Sequence, residues 1–167
     1  RILKITSDEF FEKNERKIDI IFIDGMHQSD YVLRDFNNAI NCLSENGIIF
    51  IDDILPKTER EQFKIPIKHA YENGILKYRE SWTGDVWKVI YFLLQHYKEY
   101  IKFEIYEHSN YRGVGKFQFS KKIQISPEKI NEIDNYDYNN DFEQYLSLIK
   151  QHKSQEKLKD NNEFLNS

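Results

Sequence analysis

Two near-continuous apolar runs, Ile18–Ile23 (IDIIFI) and 48–51 (IIFI), limit this chain more than any other feature. A strand that is apolar on both faces has to be covered on both faces, which marks a parallel α/β sheet. Between the runs the pattern predicts a polar turn at 24–27 and a helix over 29–44. In that helix Val32, Phe36, Ala39, Ile40 and Leu43 make one apolar stripe. Ser29 or Asp30 is expected to cap its start, and Gly47, in the Asn46-Gly47 turn, to end it in a left-handed conformation. The unit is then a right-handed βαβ crossover. Both strands end in carboxylates: Asp24 closes the first, and Asp52 with Asp53 the second. Open parallel sheets bind ligands outside the carboxyl ends of their strands, so three acids there mark the candidate site.

Composition narrows the function classes. A chain of 167 residues is about one domain long. A net charge of −4 argues against a nucleic-acid partner. No apolar run approaches the ~20 residues of a membrane span. With no membrane partner and no signal-peptide pattern, the expected compartment is the cytoplasm. The one cysteine, Cys42, excludes an internal disulfide and is expected as a small buried hydrophobe on the helix stripe. The chain opens on Arg1 rather than Met, inside a stretch (RILKIT) that reads as the end of a strand. That opening predicts a fragment of a longer protein.

Further along, Ser7 or Asp8 is expected to cap a short helix through Phe10 and Phe11. The polar segment 54–64 reads as a loop beside the site. Pro66 predicts a short helix through Ala70 and Tyr71 that Asn73-Gly74 ends. Trp82 sits in a connector, and Gly84-Asp85 opens a helix with Val86, Val89, Ile90, Leu93, Leu94 and Tyr97 as its buried stripe. Residues 101–106 alternate as a strand with one wetter face. After a turn over 110–115, the segments 114–119 and 123–125 are expected to pair as antiparallel strands. Phe142, Tyr145, Leu146 and Ile149 mark a last amphipathic helix. The expected organisation is an α/β domain over 1–126, a peripheral segment over 127–152 and a polar tail over 153–167.

Asp24, Asp52 and Asp53 are hard oxygen ligands suited to Mg²⁺ or a similar cation, or else helix caps or solvated acids. His27, in the turn beside Asp24, is either a general base or a histidine that satisfies a backbone group. Asp85 is explained as a helix cap. The chain has no G-x-G-x-x-G, no P-loop and no nucleophile elbow.

The run Phe22-Ile23-Asp24-Gly25-Met26-His27, then Tyr31 and Asp35, then Gly47 to Asp53, resembles the fourth-to-fifth-strand region of class I S-adenosylmethionine-dependent methyltransferases. It is most similar to a small-molecule and sugar O-methyltransferase branch. Thr83-Gly84-Asp85-Val86-Trp87-Lys88 resembles a segment that recurs there. The resemblance spans roughly residues 5–119. It implies a Rossmann-like sheet, mostly parallel with a late antiparallel hairpin, in the order 3-2-1-4-5-7-6 and lacking its first strands. It also implies S-adenosylmethionine as cofactor, with Ser7, Asp8 and Asp24 on the cofactor side. Asp24, Asp52 and Asp53 would hold Mg²⁺, and His27 would act as base on a hydroxyl of a small-molecule acceptor. The fourth strand would then lie on an open edge, to be paired by a partner chain or a missing N-terminal segment. The alternative is an incomplete or degenerate module of the same family, acting as a non-catalytic binding or assembly partner.

Overall fold

The computed structural model describes residues 2–66, 71–72, 75–76, 81–107, 112–126 and 129–152. Its elements are α1 (Ser7–Lys13), β1 (Ile18–Ile23), α2 (Ser29–Cys42), β2 (Leu43–Ile51) and a 3₁₀ turn at Glu59–Gln62. They continue with a minimal hairpin, β3 (Tyr71–Glu72) and β4 (Ile75–Leu76), then α3 (Val86–Tyr97), β5 (Ile101–Tyr106) and β6 (Val114–Phe119). Two helices close the described chain, α4 (Ile130–Asp134) and α5 (Tyr138–Lys150).

The main sheet has the order β1-β2-β6-β5. β1 and β2 are parallel, whereas β6 is antiparallel to both β2 and β5. Among the described residues the sheet is therefore mixed, with a single parallel pair. Its order coincides with the 4-5-7-6 half of the order that the resemblance implies. β1 is an edge strand, and its Ile20 and Phe22 are 64% and 54% exposed.

One sheet face carries the core. Phe36 of α2 meets Phe117 and Phe119 of β6 edge-on. Ile49, Ile51, Phe103 and Ile105 are buried on that face. α3 is buried nearly all round, because α2, α4 and α5 all pack against it. Its Trp87 is fully buried against Phe142 and Tyr145 of α5. Truncating such an indole to Ala costs about 3–5 kcal/mol. The opposite face is less covered, and Phe22, Phe50, Lys116 and Glu104 form one row across it through the strand register.

Several expectations are corrected. Residues 2–6 form no strand; Ile2, Leu3 and Ile5 are exposed, since no neighbouring strand offers them a ladder. Thr6, rather than Ser7 or Asp8, caps α1, through a capping box with Glu9. α2 ends at Cys42, and Gly47 lies inside β2. It sits in a bulge where residues 44–47 face only Asp19, between the pairs Ile18↔Leu43 and Ile20↔Ile48. A Cβ on Gly47 would come within 2.6 Å of the Leu43 side chain, so close approach, not helix capping, requires glycine there. The C-terminus of α2 is satisfied instead by Lys17, whose Nζ donates to the Asn41 carbonyl at 3.0 Å.

Cys42 is only half-buried, so it is not the core residue expected. Ile123 and Ile125 are buried without forming a strand. Tyr71 lies in β3 rather than in a helix. The rest of that expected helix, through Ala70 to Asn73-Gly74, falls outside the described residues, as do the tail over 153–167 and the first two residues of the 110–115 turn.

Candidate active site

The site forms where β1 and β2 end side by side. The Asp52 N–H donates to the Ile23 carbonyl at 3.1 Å, so the ladder runs up to the acids themselves. Asp53 then takes a φ of 59°, the only positive φ on a non-glycine among the described residues. An Asp tolerates this left-handed conformation at a cost of about 1 kcal/mol. Strain held at a strand end is a recurrent mark of functional positions. The Asp53 N–H is held by Asp52 Oδ1 at 2.8 Å.

The turn after β1 brings His27 to meet Asp53. His27 Nε2 lies 3.1 Å from Asp53 Oδ2 and 3.6 Å from Asp24 Oδ1. One ligand atom from each of Asp24, His27 and Asp53 falls within 4.8 Å of the others. Asp52 stands outside this set, occupied with its neighbour's N–H. The expected convergence of the two strand ends is thus present for Asp24 and Asp53, with His27 in the place given to Asp52.

His27 Nδ1 lies 3.0 Å from the Trp82 carbonyl. A carbonyl only accepts, so Nδ1 carries the proton. Nε2 is then free to face Asp53, either as an imidazolium beside a carboxylate or as a base beside a protonated acid. Burial is the main cause that pushes the Asp53 carboxyl up to about 6; Asp52 and Asp24 add to it, while His27 and Arg112 oppose it.

The segment over 82–85 is the platform for this turn. The Trp82 ring stacks on His27 with centroids 5.0 Å apart, and its Nε1 donates to the Phe63 carbonyl at 2.7 Å. Gly84 has a φ of +59°, and a Cβ there would lie 1.5 Å from the His27 carbonyl oxygen. Asp85, 3% exposed, makes no cap bond to its own helix. Its two oxygens accept from the Ser29 N–H at 2.7 Å and the Ser29 hydroxyl at 2.9 Å. It therefore caps α2, the job that the sequence assigned to Ser29 or Asp30. No local pattern reveals a cap supplied from 56 residues away.

Beside the site, a groove of about 370 Å³ runs between α1 and β1, lined by Ser7, Phe10, Phe22, Asp24, Gly25 and Asp35 among others. Ser7 and Asp24 of the expected cofactor side share it. Asp8 does not line it and pairs with Arg34 at 3.0 Å. Asp35 was missed as a site residue from the sequence. Its Oδ1 is buried with no hydrogen-bond partner among the described residues, and burial is the main cause that raises its carboxyl pKa. An orphaned acceptor at a groove wall suits a ligand that brings its own N–H or O–H donors.

The four-strand mixed sheet is consistent with a Rossmann-like fold, and two acids and an imidazole meet at the ends of its parallel strands. A family model described as "Methyltransferase domain" matches residues 1–54, the stretch that holds α1, β1, α2, β2 and the acids. The match supports a methyltransferase domain, and with it methyl transfer and the use of S-adenosylmethionine in general. No curated protein matches the chain. No helix among the described residues is long and apolar enough to cross a membrane.

Proposed function

We propose that the site transfers a methyl group from S-adenosylmethionine to a hydroxyl of a small metabolite or sugar. The observation that carries this is His27, fixed as the Nδ1–H tautomer with its free nitrogen aimed at Asp53, beside a groove within the matched stretch. The cofactor, when bound, supplies an electrophilic methyl on a sulfonium. The groove's donor-hungry wall at Asp35, together with Ser7 and Asp24, fits a ligand of that kind.

The His27–Asp53 pair, joined through Nε2 and Oδ2 at 3.1 Å, takes the proton of the acceptor hydroxyl, with Nε2 as the nitrogen that ends up protonated. The Trp82 carbonyl keeps Nδ1 protonated throughout, so the ring neither flips nor loses its lone-pair direction. Asp53 lies where it stabilises the imidazolium that results. General-base assistance of this kind contributes about 10²–10⁴-fold.

Asp24, Asp53 and His27 Nε2 are also the atoms that would hold a divalent cation such as Mg²⁺, which would favour the ionised acceptor. A cation on Nε2 removes that nitrogen from base duty, so the two uses exclude each other and Mg²⁺ titration separates them. The test is transfer of labelled methyl from S-adenosylmethionine to a panel of sugars and phenols. Transfer that His27→Gln abolishes supports the proposal. Cofactor binding with no transfer to any hydroxyl would move the assignment to a non-catalytic binding module, which the exposed Ile20 and Phe22 edge favours independently.

A further inference from the structure

We propose that the Glu61–Arg112 ion pair positions His27 for the reaction above, an inference that rests on that function for its purpose but not for its test. Arg112 Nε and Nη2 donate to Glu61 Oε2 and Oε1, both at 2.7 Å, with side chains only 17% and 10% exposed. A buried pair of this kind is weak evidence for stability, since an apolar pair of the same shape often does as well. What the bidentate fork supplies is a fixed mutual orientation.

That orientation is used on both sides of the site. From Arg112, the chain grips the acid: the Leu55 N–H donates to the Arg112 carbonyl, and the Ile54 N–H to the Gly113 carbonyl at 3.3 Å. These are the two residues that follow Asp53. From Glu61, the chain grips the imidazole platform. Its backbone carbonyl accepts from the Thr83 N–H at 2.9 Å, the Gly84 N–H at 3.0 Å and the Thr83 hydroxyl at 3.0 Å. Those residues adjoin Trp82, whose carbonyl fixes His27 Nδ1, and Gly84 abuts the His27 carbonyl. The path closes on itself from Asp53 through Arg112, Glu61 and Trp82 to His27, and back to Asp53. Apart from the His27–Asp53 contact that closes it, Glu61 and Arg112 form the joint in it made by two side chains. The hydrogen bonds of the guanidinium go to Glu61 rather than to His27 or Asp53. Glu61 and Arg112 are positioning residues.

The experiment reads the His27 Nδ1–H proton in long-range ¹H–¹⁵N spectra of the whole chain, assigned by its loss in His27→Gln. The wild-type protein should show that proton in one protected tautomer. In Glu61→Gln and in the milder Arg112→Lys, its protection should fall at least about tenfold, the ratio that 1.4 kcal/mol produces. His96→Gln, which breaks the remote His96–Glu132 contact, serves as the control for general loosening and should leave the signal in place. A His27 signal unchanged in Arg112→Lys would overturn the proposal and leave the pair a loop staple. So would a wild-type His27 in the other tautomer. If the tautomer behaves as expected while no methyl transfer is found, the functional assignment fails and the positioning role stands.

Discussion

At the carboxyl ends of β1 and β2, Asp24 and Asp53 crowd a single imidazole, with Asp52 behind them. On the outer face of β5 and β6, Glu104 sits between Lys116 at 2.9 Å and Lys102 at 3.1 Å. Both clusters are acidic side chains on the same sheet, yet they titrate in opposite directions. Burial and neighbouring acids push Asp53 up to about 6, while hydrogen bonds from the two lysines hold Glu104 down at about 2. In the second cluster the acid is paired with two lysines, one of them well exposed, so it does little beyond keeping a sheet face soluble. The first holds like charges together on a left-handed backbone, an arrangement the fold tolerates at a cost. Such a cost, concentrated at the strand ends, distinguishes a site from a salt-bridged surface.

The contrast can be broken most sharply at His27. His27→Ala should lower kcat by about 10²–10⁴-fold with a melting temperature within a few degrees of wild type, because the ring is a half-buried group at the end of a turn. Parallel loss of folding and activity would make it a structural histidine.

Gly84→Ala comes next. The new Cβ overlaps the His27 carbonyl, and φ is unfavourable for any other residue, so unfolding should cost at least about 3 kcal/mol less than in wild type. Chemical denaturation measures this. A near-neutral result would show that the 82–85 platform is not packed against the turn.

For Asp53 the sign follows from a folded-state value above the ordinary one. The native state binds the extra proton, so stability is fully present below about pH 4 and is lost as pH rises through about 6. Asp53→Asn should flatten that decline, by about 1–2 kcal/mol between pH 4 and pH 7. An identical pH profile for variant and wild type would remove Asp53 from the raised-pKa cluster.

Glu104 gives the smallest effect, with the opposite sign. Its stabilisation is present above pH 4.5 and fades as pH falls toward 2, so Glu104→Gln should cost no more than about 0.5–1 kcal/mol at pH 7 and less at high salt. A larger, salt-insensitive loss would mean that this face is covered by something that dries it.

The parts of the molecule legible in the sequence are those whose cause is local. The run IDIIFI predicts β1 with its bounds intact, and the acids at the ends of both runs meet as expected for Asp24 and Asp53. The stripes of α2, α3 and α5 follow from spacing, except that Leu43, expected on the α2 stripe, opens β2 instead, and α3 is buried on more sides than a stripe implies, since three helices converge on it. What failed is non-local. Asp85 caps α2 across the fold, Lys17 stands in for a C-terminal glycine, and Glu61 finds Arg112 at a distance of 51 residues. Ile123 and Ile125 alternate like a strand because they are buried, and burial without a ladder partner leaves them irregular. The place of His27 in a turn makes a base legible there; that its tautomer is set by a carbonyl of Trp82 has no trace in the local pattern.

The two indoles provide a built-in pair of reporters. They hang from adjacent residues, with Trp87 Nε1 donating to Gln62 Oε1 at 3.3 Å and Trp82 Nε1 to the Phe63 carbonyl at 2.7 Å. One lies in the dry interior and the other against His27 at the rim. Their emission should therefore be resolvable by colour: blue-shifted from the enclosed ring, red-shifted and quenched by imidazole contact from the stacked one. Under mild denaturant the red component should brighten first, as the rim opens in a sub-global step below the free energy of full unfolding. A single cuvette would then follow the opening of the site and the melting of the core as separate events.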